Sequence, residues 1–328
     1  MNAHESLDVA EGLQTPASSS FPFMASPMES FDLQDEATVR IVTSISPQEH
    51  VYLKSHVFGG RPLMPGAGMM EMVCESAVFA SQALGLDCKH VIAIDDFEIF
   101  RAISMQLDET VCIKATVRAL GRLPNSTTSG FLVHLSSDGK NEAGEVVRRD
   151  RRHCTAKIVL DVVPRRGETE RLAPPEGSKR FDFSRDQLYR DQFQTHGRLF
   201  KSLTGSFWSF DRGRGVLGEF SMDNLESEFV RGSTAPLTLS PLALDSAFQI
   251  QVLGINLRLG RMRLPIGGRS LKFYRSPNVS GKHYALVQPL FEDDMVTGSR
   301  ITVTTDSFEK CFELGEFRFR LPAIVAKL

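Results

Sequence analysis

The chain has no run of about 18 consecutive apolar residues, the length a membrane-spanning helix needs. Its first residues offer neither the basic stretch nor the apolar core of a secretory signal. Cysteine is scarce: Cys74, Cys88, Cys112, Cys154 and Cys311 are odd in number, widely spread and form no CxxC pair. They read as reduced thiols of a cytoplasmic protein, not as a disulfide frame or a zinc site. The eight histidines show no ligand spacing, so no metal is expected. The sequons at Asn125 and Asn278 carry little meaning without secretion.

Positive charge is missing from one end. Residues 1–36 hold seven acids and neither Lys nor Arg, and since the formal net charge is −2, the remainder carries +5. So modest an excess calls for neither nucleic acid nor a membrane, but it suits an acidic protein partner. With 328 residues, 41% of them hydrophobic, the chain has ample core for roughly two domains or one duplicated one.

Composition divides it. Residues 1–36, rich in Ser, Pro and acids, read as a disordered leader or linker. A second break, dense in Pro and charge, spans 162–180 and separates blocks 37–161 and 181–328. Each block holds one apolar helix candidate among strand-like runs. The first follows Pro65-Gly66, with Met69, Met72, Val73, Ala77, Ala80 and Leu84 at helical spacing and Glu71 and Glu75 together on another face. The second begins with Ser240 as N-cap and Pro241 at the first helical position. One long helix among five or six strands, twice, is not a βαβ alternation. It predicts an α+β fold in which each half wraps an antiparallel sheet around one buried helix.

Two segments carry candidate chemistry. His56-Val-Phe-Gly-Gly60-Arg-Pro-Leu-Met-Pro65-Gly66 puts an imidazole on a constrained loop beside a helix N-terminus. Free amides there can polarise a carbonyl oxygen, and a histidine of ordinary pKa, about 6.5, is a natural base for the proton so acidified. A plain loop histidine in a glycine turn fits the same pattern. In Leu239-Ser-Pro241-Leu-Ala-Leu-Asp245-Ser-Ala-Phe-Gln249, Asp245 and Gln249 share a helix face. A carboxyl kept protonated among apolar neighbours is a good general acid; an acid complementing the helix dipole is the alternative.

HVFGGRPLMPGAG matches HxxxGxxxxPG and SPLALDSAFQ matches Pro-x-x-Leu-Asp-x-x-x-Gln, in an order and separation that resemble the dehydratase domains of polyketide synthases. The resemblance covers residues 37–325 and implies a double hotdog, each long helix being the central helix of one half. It implies His56 as catalytic base, Asp245 as acid and Gln249 as the acid's positioning partner. Gly60, Pro65 and Gly66 then shape the substrate loop, with amides around Gly66 holding the thioester carbonyl. The implied reaction is loss of water from a 3-hydroxyacyl thioester carried on the phosphopantetheine arm of acyl carrier protein. No cofactor is needed, because the thioester acidifies its own α-carbon. Other synthase domains and a homodimer are compatible with such a domain. Two rivals share the fold: a product-shaping cyclase or isomerase, and a non-catalytic acyl-binding scaffold.

Two family landmarks are altered. Where Tyr-Gly-Pro-x-Phe is usual the chain has Gln194-Thr-His196-Gly197-Arg198-Leu-Phe200, so His196 and Gly197 become candidates for positioning substrate or the acid. Where Leu-Pro-Phe-Ser-Trp is usual it has Leu264-Pro265-Ile-Gly-Gly268, which removes bulk from the substrate tunnel or its packing. Gly213-Arg-Gly215-Val-Leu-Gly218 satisfies GxGxxG but follows an aromatic strand, and reads as a hairpin turn. The basic run Arg148–Arg152, and Arg258, Arg261 and Arg263, are candidate docking sites for an acidic carrier protein.

Overall fold

The computed structural model describes residues 21–24, 28–35, 37–122, 127–140, 144–223, 225–233, 235–274 and 281–321. The first half contains β1 (Met28–Asp35), β2 (Thr38–Ile45), the short hairpin β3 (Val57–Phe58) and β4 (Arg61–Pro62), and α1 (Gly66–Ala83). It continues with β5 (His90–Ile99), β6 (Val111–Arg122), β7 (Ser129–Lys140) and β8 (Val146–Asp161). The second contains β9 (Lys179–Asp182), α2 (Arg185–Asp191), β10 (Leu203–Phe210), β11 (Gly215–Ser221) and α3 (Pro241–Leu259). It closes with β12 (Leu264–Phe273), β13 (Lys282–Glu292), β14 (Val296–Thr305) and β15 (Lys310–Arg320).

Thirteen strands form one antiparallel sheet in the order β1-β2-β6-β7-β8-β5-β12-β15-β14-β13-β11-β10-β9. The pairing of β5 with β12 joins the halves, with Gly268 opposite Phe97 and Leu271 opposite Ile94. Strand alternation supplies the inner face: Ile113, Ala115 and Val117, then Phe131, Val133 and Leu135, then Cys154, Ala156, Ile158 and Leu160 are all buried. In this double hotdog, α1 touches β2 and β5–β8, α3 touches β10, β11 and β13, and the two helices touch each other.

Both helix starts follow their local chemistry. Pro65, in extended conformation, is the N-cap of α1, where its missing N–H loses no bond. Ser240 caps α3 by accepting from the Ala243 amide, Pro241 is the first helical residue, and Gly260 ends the helix at φ 61°. The glycine-rich 213–218 stretch belongs to the β10–β11 hairpin read from sequence: the turn ends at Arg214, and Gly215–Gly218 are already paired with β10.

The leader boundary needs correction. Residues 1–20, 25–27 and 36 lie outside the described residues, but β1 pairs with β2 in the sheet, and Phe21, Phe23 and Met24 are buried in the core. What holds them is the polar side of α1. Glu71 and Glu75 do share a face, and it is buried, because α1 is enclosed nearly all round. The Glu75 carboxylate accepts the Phe23 amide (2.9 Å) and the Met24 amide (3.0 Å), while Phe23 stacks on Tyr52. Glu71 accepts the amides of Thr238 (2.5 Å) and Leu239 (2.6 Å), which lead into α3. The segment read as an inter-half linker is also docked: Glu170 N–H donates to Phe308, Lys310 N–H donates to Glu168, and Lys179 and Arg180 already belong to β9.

Burial and their mutual proximity push Glu71 well above the usual carboxylate range, and burial pushes Glu75 up to about 8. A raised carboxyl pKa means that the folded chain binds the proton more tightly than the unfolded one. The linked stabilisation is full below the unfolded value of about 4.3 and is lost as pH rises through the folded one. The melting temperature is therefore expected to fall by a few degrees between pH 6 and pH 9, and Glu75→Gln to narrow that gap. Thermal unfolding of both proteins at both pH values checks this; an unchanged gap in the variant would refute the assignment.

Candidate active site

The first site segment begins with a 3-10 turn, Val51–Ser55, anchored by buried Tyr52 and Leu53. After it, β3 and β4 fold back so that Leu63 returns to His56: the Leu63 amide donates to the His56 carbonyl, and His56 Nδ1 lies 2.7 Å from the Leu63 carbonyl oxygen. A carbonyl only accepts, so Nδ1 carries the proton and Nε2 presents a lone pair. The tight return needs Gly59 at φ 58° and Gly60 at φ 78°. Gly60 is exposed at the hairpin tip and does not line the cavity, so it shapes the loop without touching its contents.

The second segment is stitched to the first through the backbone. The Val57 amide donates to the Thr195 carbonyl (2.9 Å) and the Gly197 amide to the Ser55 carbonyl (2.7 Å), with His56 and His196 bridged between them. A Cβ on Gly197 would lie 2.9 Å from Ser55 Cα, so only glycine lets the strands approach this closely. Gly197, too, is absent from the cavity wall and acts through this approach. The two imidazole rings meet nearly perpendicular, centroids 5.1 Å apart, and Phe200 packs edge-on against both.

Asp245 and Gln249 project from α3. The His196 Nε2 to Asp245 Oδ2 distance is 3.3 Å, and Gln249 Nε2 donates to the same oxygen at 2.7 Å. Gln249 is itself fixed, donating to the Phe200 carbonyl and accepting from the Tyr189 hydroxyl. His196 Nδ1 lies 3.0 Å from Thr195 Oγ1. Tyr189 and Thr195 orient functional groups without being identifiable from sequence. Their contacts join residues 60 positions apart in one case, and depend on the tautomer of His196 in the other.

These groups face one cavity of about 310 Å³. His56, Pro65, Gly66, His196, Asp245 and Gln249 line it together, drawn from both halves. Its apolar wall includes Met69, Ile99, Phe193, Phe248 and Val252, and Arg101 and Arg320 line it while remaining exposed, which puts them at the mouth. Leu264, Pro265 and Ile266 contribute wall, whereas Gly267 and Gly268 pair with β5; a Cβ on Gly267 would lie 2.1 Å from the Phe97 carbonyl oxygen, and one on Gly268 would lie 2.6 Å from the Phe317 ring. Arg263 is buried and donates to Thr297 and to the carbonyls of Asp293 and Asp294, and Arg258 pairs with Glu292; neither is a free docking charge.

Burial, reinforced by His196, lowers His56 to about 4, so it is a neutral imidazole at physiological pH. Burial alone would raise Asp245, but the hydrogen bond and charge of His196, then His56 and Gln249, hold it below the usual carboxylate range. This corrects the expectation of a protonated carboxyl. An ionised Asp245 can only accept, so the proton between it and His196 resides on Nε2 of the imidazole.

Against known proteins, residues 27–129 match the family model described as polyketide synthase dehydratase domain. No curated protein matches. Among solved structures, a trans-AT polyketide synthase dehydratase domain from Brevibacillus brevis superposes with a TM-score of 0.71 at 18% identity, covering 94% of this chain and 100% of its own. The dehydratase domain from the CurF module of the curacin synthase gives 0.67 at 18%, covering 92% and 100%. The CurK dehydratase, solved as inactive mutants of a histidine and of an aspartate, gives 0.64 for each at 15% and 16%, covering 93% and 92% of this chain and 99% and 97% of its own. The double-hotdog fold of these domains is the fold of this chain, and the resemblance read from the two motifs is borne out.

Gly197→Ala forces a methyl against Ser55 backbone and is expected to destabilise the chain by about 1–3 kcal/mol. Urea unfolding measures it, and a change within about 0.3 kcal/mol would show that the stitch is not tight.

Proposed function

We propose that the chain eliminates water from a 3-hydroxyacyl thioester held on acyl carrier protein, giving the enoyl thioester. The observation that carries this reading is the juxtaposition of a proton-free His56 Nε2 with the His196–Asp245 pair, across one apolar cavity at the entrance of α1. Elimination needs a base for the α-proton, a donor for the departing hydroxyl and a dipole for the carbonyl oxygen. His56 supplies the first. The donor is the His196–Asp245 pair, whose shared proton passes to the hydroxyl as the C–O bond breaks. The amides of Gly66 and its neighbours, which have no intrahelical acceptor, supply the dipole. The proton gained by His56 restores the pair, whose ligating atoms lie within 4.8 Å of it. In the CurK dehydratase, replacement of a histidine or of an aspartate gives an inactive mutant, and the same two residue types face each other here.

The carrier protein fits the mouth. Arg152 stacks over Phe100 (5.8 Å), an exposed residue of the cavity wall, and the Phe100 amide donates to the His153 carbonyl. Arg152 in β8 therefore reaches the opening, exposed Arg148 and Arg149 lie further along the same strand, and the exposed Arg101 and Arg320 line the opening, where they suit a carrier arm's phosphate.

Mass spectrometry of a carrier-bound 3-hydroxyacyl chain is expected to show loss of one water. His56→Ala and Asp245→Asn should each lower the rate by roughly 10²–10⁴-fold while keeping the fold. A product of unchanged mass but moved double bond would replace this reading with the isomerase, and near-normal turnover in either variant would refute that residue's role. Charge reversal of Arg148 and Arg149 together should weaken turnover of the carrier-bound substrate only; an equal loss on a small thioester would remove them from docking.

A further inference from the structure

The replacement of the usual tyrosine by His196 gives the cavity a third strong donor. His56, His196 and Asp245 each offer one ligand atom, and these atoms lie within 4.8 Å of one another. Histidines 140 residues apart in the sequence could not be read as a ligand set from spacing; the β-bridge between positions 56 and 196 is what brings them together.

The geometry is that of a partly assembled tetrahedron. Zinc bonds of about 2.0–2.1 Å at tetrahedral angles put neighbouring ligand atoms roughly 3.3–3.4 Å apart. His196 Nε2 and Asp245 Oδ2 are separated by 3.3 Å, longer than the roughly 2.7–2.9 Å of a good charge-assisted hydrogen bond. That edge is in place, and His56 must close by at most roughly 1.5 Å to complete the face.

Each donor also has the outer partner that metal ligands require. His56 Nδ1–H donates to the Leu63 carbonyl, which turns Nε2 toward the cavity. Gln249 donates to the Asp245 carboxylate. With His196 bound through Nε2, its remaining proton moves to Nδ1, where Thr195 Oγ1 accepts it. The fourth position faces the apolar cavity, and two imidazoles with one carboxylate are the donor set of borderline divalent ions.

We propose that His56, His196 and Asp245 form a three-ligand site for a zinc-type divalent cation, with its fourth position open to the substrate cavity. Binding and dehydration are mutually exclusive. The cation takes the lone pair that His56 would use as base and displaces the proton that His196 and Asp245 would deliver. Zinc thus becomes a reversible inhibitor competitive with substrate. This last consequence rests on the dehydratase reading, while the binding site does not.

The full chain, stripped with a chelator, is titrated with Co²⁺ and Zn²⁺. Expected are one equivalent bound, visible Co²⁺ absorption of the intensity typical of four-coordination, and displacement by Zn²⁺. His196→Gln, checked for fold by circular dichroism, should weaken binding by at least tenfold and Thr195→Val by a smaller factor. Absence of a stoichiometric cobalt spectrum, or equal affinity in a folded His196→Gln, overturns the site. Should His196→Gln not fold, the Thr195→Val arm decides, since unchanged affinity there removes the outer-partner argument on which the site depends. In the activity arm, zinc inhibition reversed by chelator supports exclusivity, and undiminished turnover with zinc bound overturns it. If no dehydration occurs even in metal-free protein while cobalt still binds, the dehydratase reading fails and the metal site stands.

Discussion

The antiparallel pairing of β5 with β12 is the constraint on which the rest of this molecule depends. It converts two sheets into one and holds the two central helices side by side. It also requires glycine at a defined point: Gly267 has φ 137°, and a Cβ there would lie 2.1 Å from the Phe97 carbonyl oxygen. A Cβ added at Gly66 would lie 3.5 Å from Pro265 Cγ, so the wall of the second half comes close to the helix entrance of the first. The cavity is the space left beside that seam. A base from one half and an acid from the other can meet only because the joint fixes the distance between the halves.

A second layer of constraint is polar and buried. Carboxylates enclosed in a core are unfavourable unless their oxygens are filled. Glu71, Glu75 and Glu226 meet that condition with backbone amides, each tying a separate stretch of chain to a helix. Glu75 holds residues 23–24, Glu71 holds 238–239, and Glu226 accepts from Ser240 Oγ and the Leu242 amide at the start of α3. Apolar replacements would fill the same space without specifying which amide lies where. The effect is that the start of α3, and with it Asp245 one turn later, is set by hydrogen bonds reaching back to α1.

Features encoded by neighbours in the sequence were legible before the structure. Ser240-Pro241 and Pro65-Gly66 state their own helix starts, strand alternation states the inner faces of β6 to β8, and the Gly-rich 213–218 turn states that it is no nucleotide loop. His56 and Asp245 were visible because each opens a helix within a spaced motif. What remained hidden is long-range. Nothing local distinguishes residues 28–35, acidic and poor in periodicity, from a true leader, because their order comes from the β2 edge. Gly60 and Gly197 look alike in a motif, yet one satisfies a turn and the other a close approach to Ser55. Glu71 and Glu75 were placed on one face of the helix, but a sequence cannot show that this face too will be covered. The charge on Asp245 was misjudged for the same reason: the burial that would protonate it was foreseeable, and the imidazole that reverses it comes from 49 residues earlier in the chain.

His196 ties these threads together. In a site built only from a histidine and a carboxyl, burial pushes toward the neutral acid. A second imidazole at 3.3 Å from Asp245 changes the balance, because its hydrogen bond and charge help hold the carboxylate ionised. The same change that relocates the proton creates a cavity lined by two nitrogen donors and one anionic oxygen, each oriented by its own hydrogen bond. Preorganisation of this kind lowers the reorganisation needed for proton transfer and for cation binding alike, since both use lone pairs already aimed at one point. Which of the two the site performs is then set by what enters the cavity. An acyl chain fills the apolar wall of Met69, Phe193 and Phe248 and leaves the proton in place, whereas a small cation has no use for that wall and competes only for the three donors.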